Sequence, residues 1–117
     1  MGMALRSDVA RAGRLSGTAK PVDLVHLSAL TLGDRELERD VLATFLGQAD
    51  IYLACLRAAR DRKARQRAAH ALKGAARGIG AWELAERAGE AEAKTFTDGT
   101  ALEAEMRRVC DYIRSLV

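Results

Sequence analysis

His70 is the residue whose neighbours could do chemistry. It stands in R-A-A-H-A-L-K-G-A-A-R-G-I-G-A, residues 67–81. At about 100° per residue in a helix, Lys63, Arg67, Lys73, Gly74 and Arg77 share its face, and Ala68, Leu72, Ala75 and Ile79 fall on the opposite, apolar side. The imidazole is therefore expected to point to solvent among cations. Gly74 costs a helix interior about 1 kcal/mol relative to alanine. One turn from His70, it removes the side chain that would overhang the ring, so a second protein can bring a reactive group up to an imidazole nitrogen. Lys73 supplies a cation to offset a phosphoryl group of about −2 charge. Neutral imidazole is available near physiological pH as a nucleophile. The sequence holds no Ser/His/Asp set, no paired acids and no nucleotide-binding loop, so the remaining machinery has to come from a partner.

These residues carry a family likeness. The pattern His-x-x-Lys-Gly with a further glycine, here His70, Lys73, Gly74 and Gly80, resembles the histidine-containing phosphotransfer (HPt) domain of two-component phosphorelays. Upstream, V-D-L-V-H-L, an acidic turn and the apolar helix L-E-R-D-V-L-A-T-F-L-G-Q-A resemble the opening of the same family, and the likeness covers Val22 to Val117. It implies that His70 accepts a phosphoryl group on its outer ring nitrogen, from a phospho-aspartate of a receiver domain or from a sensor kinase, and passes it to a response regulator. Lys73 then helps balance the phosphoryl charge. Glu92 lies where many family members carry a glutamine that hydrogen-bonds the inner ring nitrogen; a glutamate can accept that N–H, and a solvated helix-face glutamate is the alternative. Gly74, Arg67 and Arg77 are expected to meet an acidic receiver pocket, although the two arginines could instead pair with acids of the next helix. Gly80 belongs either to that surface or to a helix terminator. The resemblance implies no metal or cofactor of the domain's own, Mg2+ being needed only in the partner receiver.

Helices must position these residues. Asp23, Asp34 and Asp61 are expected N-caps. The first opens a short helix through Leu24, Val25, Leu27 and Leu30, ending near Gly33. The second opens a long helix to about Ala59, with Glu36 and Glu38 in its first turn and a buried stripe of Leu37, Val41, Phe45, Ala49, Tyr52 or Leu53, and Leu56. The third carries His70 to about Ile79, where Gly78 and Gly80 fit its end. A fourth is expected from Trp82 to about Phe96. After a capped turn at Thr97-Asp98-Gly99-Thr100, Leu102, Met106, Val109, Ile113 and Leu116 form a heptad. Four long helices and short loops imply an all-α, antiparallel up-down four-helix bundle with a short additional N-terminal helix. Residues 1–21 read as a flexible tail and residues 22–117 as the domain. His26, between Val25 and Leu27, reads as a packed or capping histidine rather than a second acceptor.

Composition narrows the function classes. The formal charge of +3 lies entirely in residues 1–20, where Arg6, Arg11, Arg14 and Lys20 face only Asp8. The remainder is neutral, which argues against nucleic acid as a partner. Within it, residues 57–77 are basic and residues 83–105 mostly acidic, placing a local positive field around His70. No stretch is expected to span a membrane. Cys55 and Cys110, without metal-ligand spacing, read as buried or half-buried thiols. A cytoplasmic, monomeric phosphocarrier whose partners are sensor kinases and receiver domains is the leading expectation. Two alternatives are an interaction module that sequesters a receiver without turnover and a kinase dimerisation domain; the second usually follows its histidine with an acid, where this chain has Ala71.

Overall fold

Three aspartates start three helices, each where the sequence puts it. In the computed structural model, residues 20–93 and 99–117 are described. Among them the chain forms α1 (Leu24–Thr31), α2 (Arg35–Ala58), α3 (Arg62–Gly78), α4 (Trp82–Ala91) and α5 (Thr100–Leu116), and no strand. Asp23 Oδ1 accepts from the His26 amide at 3.0 Å, Asp34 Oδ1 from Leu37 at 3.1 Å and Asp61 Oδ1 from Ala64 at 2.8 Å. Each bond satisfies an otherwise orphaned amide, an effect of about 1 kcal/mol per cap.

The helices pack as a ring: α2 on α3, α3 on α4, α4 on α5, and α5 back on α2, with α1 against α2. The wall under the histidine is made of small residues, Ala69 and Ala76 on α3 and Ala85, Ala88 and Ala91 on α4, with Leu72 and Leu84 filling the seam. Alanine on both sides lets the two backbones approach closely, so the α3 surface sits directly beside the end of α4. The α5 heptad is buried from Leu102 through Ile113, and Leu116 packs half-buried at its end.

Several expectations about faces need correction. On α3 the buried residues are Ala69, Leu72 and Ala76, joined by its C-cap Ile79, while Ala68 and Ala75 are only half-buried. The inward face is thus rotated slightly from the one the sequence suggests. On α2, Leu42 joins Phe45 and Ala49 in the core, and Leu37 is 45% exposed. The eight residues from Leu37 to Phe45 rotate the helix by about 80° at 100° per residue, which carries Leu37 off the inward face. Cys110 is buried but Cys55 is exposed, and both are free thiols.

The view that no segment is long and apolar enough to span a membrane also fails. By length and composition alone, α2 is. Its low polarity comes partly from Ala43, Gly47 and Ala54, which face solvent. Phe45 and Leu42 on its other side are core residues of the bundle.

The turn between α3 and α4 is clasped to α1. Ala81 N–H donates to Ala76 O at 2.8 Å and Gly80 N–H to Arg77 O at 3.1 Å, closing α3 in a Schellman arrangement with Gly80 in the left-handed region at φ 78°. Gly80 O in turn accepts from Asp23 N–H at 2.9 Å. Trp82 Nε1–H donates to Asp23 Oδ2 at 3.0 Å, and the His26 ring meets the indole edge-on at 4.8 Å. His26 is therefore a packed residue. Burial pushes the Asp23 carboxyl up, but the hydrogen bonds from Trp82 and His26 outweigh it and hold the group below its ordinary range.

Gly80 is thus a structural glycine. A Cβ there would lie 3.0 Å from both Cβ and O of Asp23 and 3.2 Å from His26 Cδ2. Gly80→Ala is expected to destabilise the fold by about 1–2 kcal/mol, combining left-handed strain with crowding. Gly78→Ala, at a helical position with open space, should be neutral or stabilising by up to about 1 kcal/mol. Urea denaturation of the two variants checks the contrast, and equal midpoints would show that the clasp tolerates a side chain.

Candidate functional site

His70 lies at mid-helix on α3, one residue past the buried Ala69 and two before the buried Leu72. Those two point into the bundle, so the histidine points out. Its side chain is 73% exposed. Around it lies an open depression lined by Lys63, Gln66, Arg67, Ala71 and Glu92. Arg67 and Lys63 lie one and two turns earlier and are both exposed.

The far wall comes from the end of α4. The sequence reading carries this helix to about Phe96, but it ends at Ala91 with Glu92 as its C-cap. The turn tightens there: Glu92 N–H donates to Gly89 O at 3.2 Å and Ala93 N–H to Glu90 O at 3.0 Å. Side chains of α3 take over the terminal carbonyls. Arg65 Nε donates to Ala91 O at 3.0 Å, an Arg65 Nη to Ala93 O at 3.1 Å and Gln66 Nε2 to Glu92 O at 2.9 Å. These contacts satisfy the orphan carbonyls of a helix end and stop the helix where it is. Thr97 and Asp98, expected in the following turn, lie outside the described residues.

Held in that turn, Glu92 divides its two oxygens. Oε2 lies 3.3 Å from His70 Nδ1 and Oε1 lies 2.5 Å from Lys73 Nζ. The hydrogen bond from Lys73, opposed by burial and aided by the His70 contact, holds the Glu92 carboxyl below its ordinary range. The carboxylate is thus ionised at neutral pH and accepts from an Nδ1–H tautomer of the ring. Such a bond leaves Nε2 carrying the lone pair, and among the described residues Nε2 has no hydrogen-bond partner. Lys73 does not stand out in solvent as the helical face suggests; its side chain is 22% exposed and leans toward α4. A Cβ on Gly89 would lie 3.7 Å from Lys73 Cδ, so the lysine stem crosses α4 where that helix has no side chain.

The other expected residues separate into two places. Gly74 is exposed, and a Cβ there would meet nothing within 4 Å. Arg67 and Arg77 are exposed and form no ion pair with any other described residue, so pairing with the acids of α4 is not their role. Gly80, placed with them by the sequence, is corrected: it is buried under the α1 clasp and offers no surface to a partner. Arg65 and Gln66 escaped the sequence reading because on a helical wheel they look like ordinary polar surface. The one signal available was Gln66 at i−4 from His70, where it lines the same depression.

An all-helical protein with one open histidine, held on one nitrogen and ringed by cations, has the design of a histidine-based carrier module. The family model described as the Hpt domain matches residues 40–116, well over half of the chain, and the chain belongs to that family. The family carries out phosphotransfer in two-component signalling as phosphocarrier modules, interacting with kinase and receiver domains. The match begins inside α2, so α1 and its clasp lie ahead of it. No curated protein and no solved structure matches the chain.

Proposed function

We propose that this chain is a phosphorelay intermediate that accepts a phosphoryl group on His70 Nε2 and passes it on. The observation that carries the reading is the His70–Glu92 contact on an otherwise open ring: Nδ1 is occupied at 3.3 Å, and the nitrogen facing solvent is the nucleophile. In acceptance, the Nε2 lone pair attacks phosphorus of a receiver's aspartyl phosphate. The N–P bond forms as the P–O bond to aspartate breaks, and the aspartate leaves as carboxylate. The Nδ1 proton stays on the ring, hydrogen-bonded to Glu92. Donation to a response regulator is the same exchange reversed, with Mg2+ supplied in the receiver's site.

Lys63 and Arg67 supply positive charge where the transferring group and the acidic receiver pocket meet. In this reading α2 to α5 run up and down as an antiparallel bundle with α1 added at one end, which the ring of contacts and the short α2–α3 and α3–α4 connections support. The domain works as a cytoplasmic monomer, with receivers and kinases rather than nucleic acid or lipid as partners. The test is incubation with phosphorylated receiver domains and with autophosphorylated sensor kinases. An acid-labile, alkali-stable label on the chain is expected; absence of label from every donor, with binding retained, would leave a sequestering module.

A further inference from the structure

We propose that Arg60 and Arg62 extend the positive rim of His70 into a docking strip for a second acidic patch on the receiver, one lying outside its phosphorylation pocket. The strip sets which receivers the chain accepts and how they lie across α3. The inference rests on the reading of receivers as partners of His70, and it names the kind of receiver.

Arg60, Arg62, Lys63 and Arg67 are all exposed, and the exposed acid among them is Asp61. Asp61 Oδ1 is engaged by the Ala64 amide at 2.8 Å. Two neighbouring cations have other tasks: Arg57 pairs with Glu103 on α5, and Arg65 donates to the carbonyls of Ala91 and Ala93. Arg60 and Arg62 form no ion pair with any other described residue. Like charges crowded on one exposed stretch repel one another, and an acidic surface laid on them relieves that repulsion.

The charge has a direction. From His70 toward the start of α3 it continues through Arg67 and Lys63 to Arg62, with Arg60 in the turn before the cap. Toward the other end, Arg77 is followed by the clasp to α1, a helix without lysine or arginine. On the flank, α4 carries Glu83, Glu86 and Glu90 against Arg87. An acidic partner is therefore drawn toward the α2–α3 turn and turned away from α4.

Distance divides the strip into two halves. Lys63 and Arg67 line the depression around His70 and meet the receiver's own pocket. At 1.5 Å rise per residue Arg62 lies about 12 Å along the helix from His70, and Arg60 lies beyond it. A pocket seated on Nε2 leaves both of these cations facing receiver surface outside it. Complementarity there takes a separate cluster of carboxylates, about 12 Å from the receiver's aspartate. Charges at such a rim govern encounter and orientation rather than the chemical step, and salt screens them.

The test is Arg60→Glu/Arg62→Glu, a charge reversal away from the reacting ring. A glutamate in the first turn of α3 or just before its cap suits the positive end of the helix dipole, so the fold is expected to hold. Arg60→Gln/Arg62→Gln is the milder second variant. The receiver used is the one that binds the wild-type chain most tightly in low salt, read by fluorescence anisotropy without phosphorylation. For that receiver, phosphorylated, the reversal is expected to lower kcat/KM for transfer at least about tenfold, with the rate at saturation unchanged and the glutamine pair falling between. Wild type and variant should converge at about 1 M salt, where the screening length is about 3 Å. Phosphoramidate should label both chains alike. Lysines in place of the receiver's outer acids should restore transfer to the reversed variant and slow it to the wild type. An unchanged kcat/KM, or a loss confined to the saturated rate, overturns the proposal. It is equally overturned if no receiver binds, or if the reversal abolishes binding to a single-stranded oligodeoxynucleotide or to phosphatidylserine vesicles while receiver transfer is intact. Failure of the acceptor reading looks different: neither phosphoramidate nor any receiver labels the wild-type chain, and binding of the unphosphorylated receiver to wild type and variant still decides the strip.

Discussion

His70→Gln is expected to abolish phosphoryl acceptance, with label falling to background, while the thermal midpoint and helical circular dichroism stay close to wild type. The ring is 73% exposed and gives up only a 3.3 Å contact. A surface substitution of this kind usually shifts stability by no more than about 0.5 kcal/mol. Glutamine retains polarity and approximate size but has no nucleophilic ring nitrogen, so chemistry and folding are separated. His26→Ala should show the opposite profile. It loses the edge-on contact with Trp82 at 4.8 Å and with it some stability, yet keeps full labelling. Label that survives in the His70 variant and disappears in the His26 variant would move the acceptor to the α1 clasp.

Gly74→Gln carries the second large effect, and it lies on partner docking rather than on folding. The position is helical and exposed, with nothing within 4 Å of an added Cβ. Gly74→Ala should therefore stabilise the isolated domain by up to about 1 kcal/mol. A glutamine at the same point extends over the surface one turn from His70, where a receiver has to bring its aspartate within bonding distance of Nε2. Transfer from a phosphorylated receiver should drop at least about tenfold, since small misplacements of reacting groups cost orders of magnitude. Phosphoramidate, small enough to reach the ring past the new side chain, should label the variant at close to the wild-type rate. Wild-type transfer from the receiver would mean that Gly74 keeps no approach path open.

Local signals were readable in the sequence. An aspartate before an apolar period caps a helix through its own amides, so Asp23, Asp34 and Asp61 sit where propensity alone would place them. The outward direction of His70 followed from opposed apolar residues such as Leu72, two positions on. Features set by distant segments were not readable. Glu92 was expected inside α4 and instead caps its end, because α4 is ended by Arg65 and Gln66 reaching across from α3, 26 or more positions away in sequence from the carbonyls they bind. The lean of Lys73 depends on a missing side chain at Gly89, and no helical wheel of α3 contains that fact. Gly80 matched the family spacing, yet its backbone angle and its crowding against Asp23 give it a task at the far end of a tertiary contact.

Trp82 is the sole tryptophan of the chain, and it sits in the clasp, its indole N–H on Asp23 Oδ2 at 3.0 Å and its ring edge-on to His26. The molecule thereby carries an optical reporter at the junction of α1 with the α3–α4 turn. Detachment of α1 exposes the indole to water and removes a neighbouring imidazole, so the emission band shifts while most of the helical signal, which comes from α2 to α5, persists. Local opening of one helix and collapse of the whole domain can then be followed in a single sample by two wavelengths, without attaching a dye near His70.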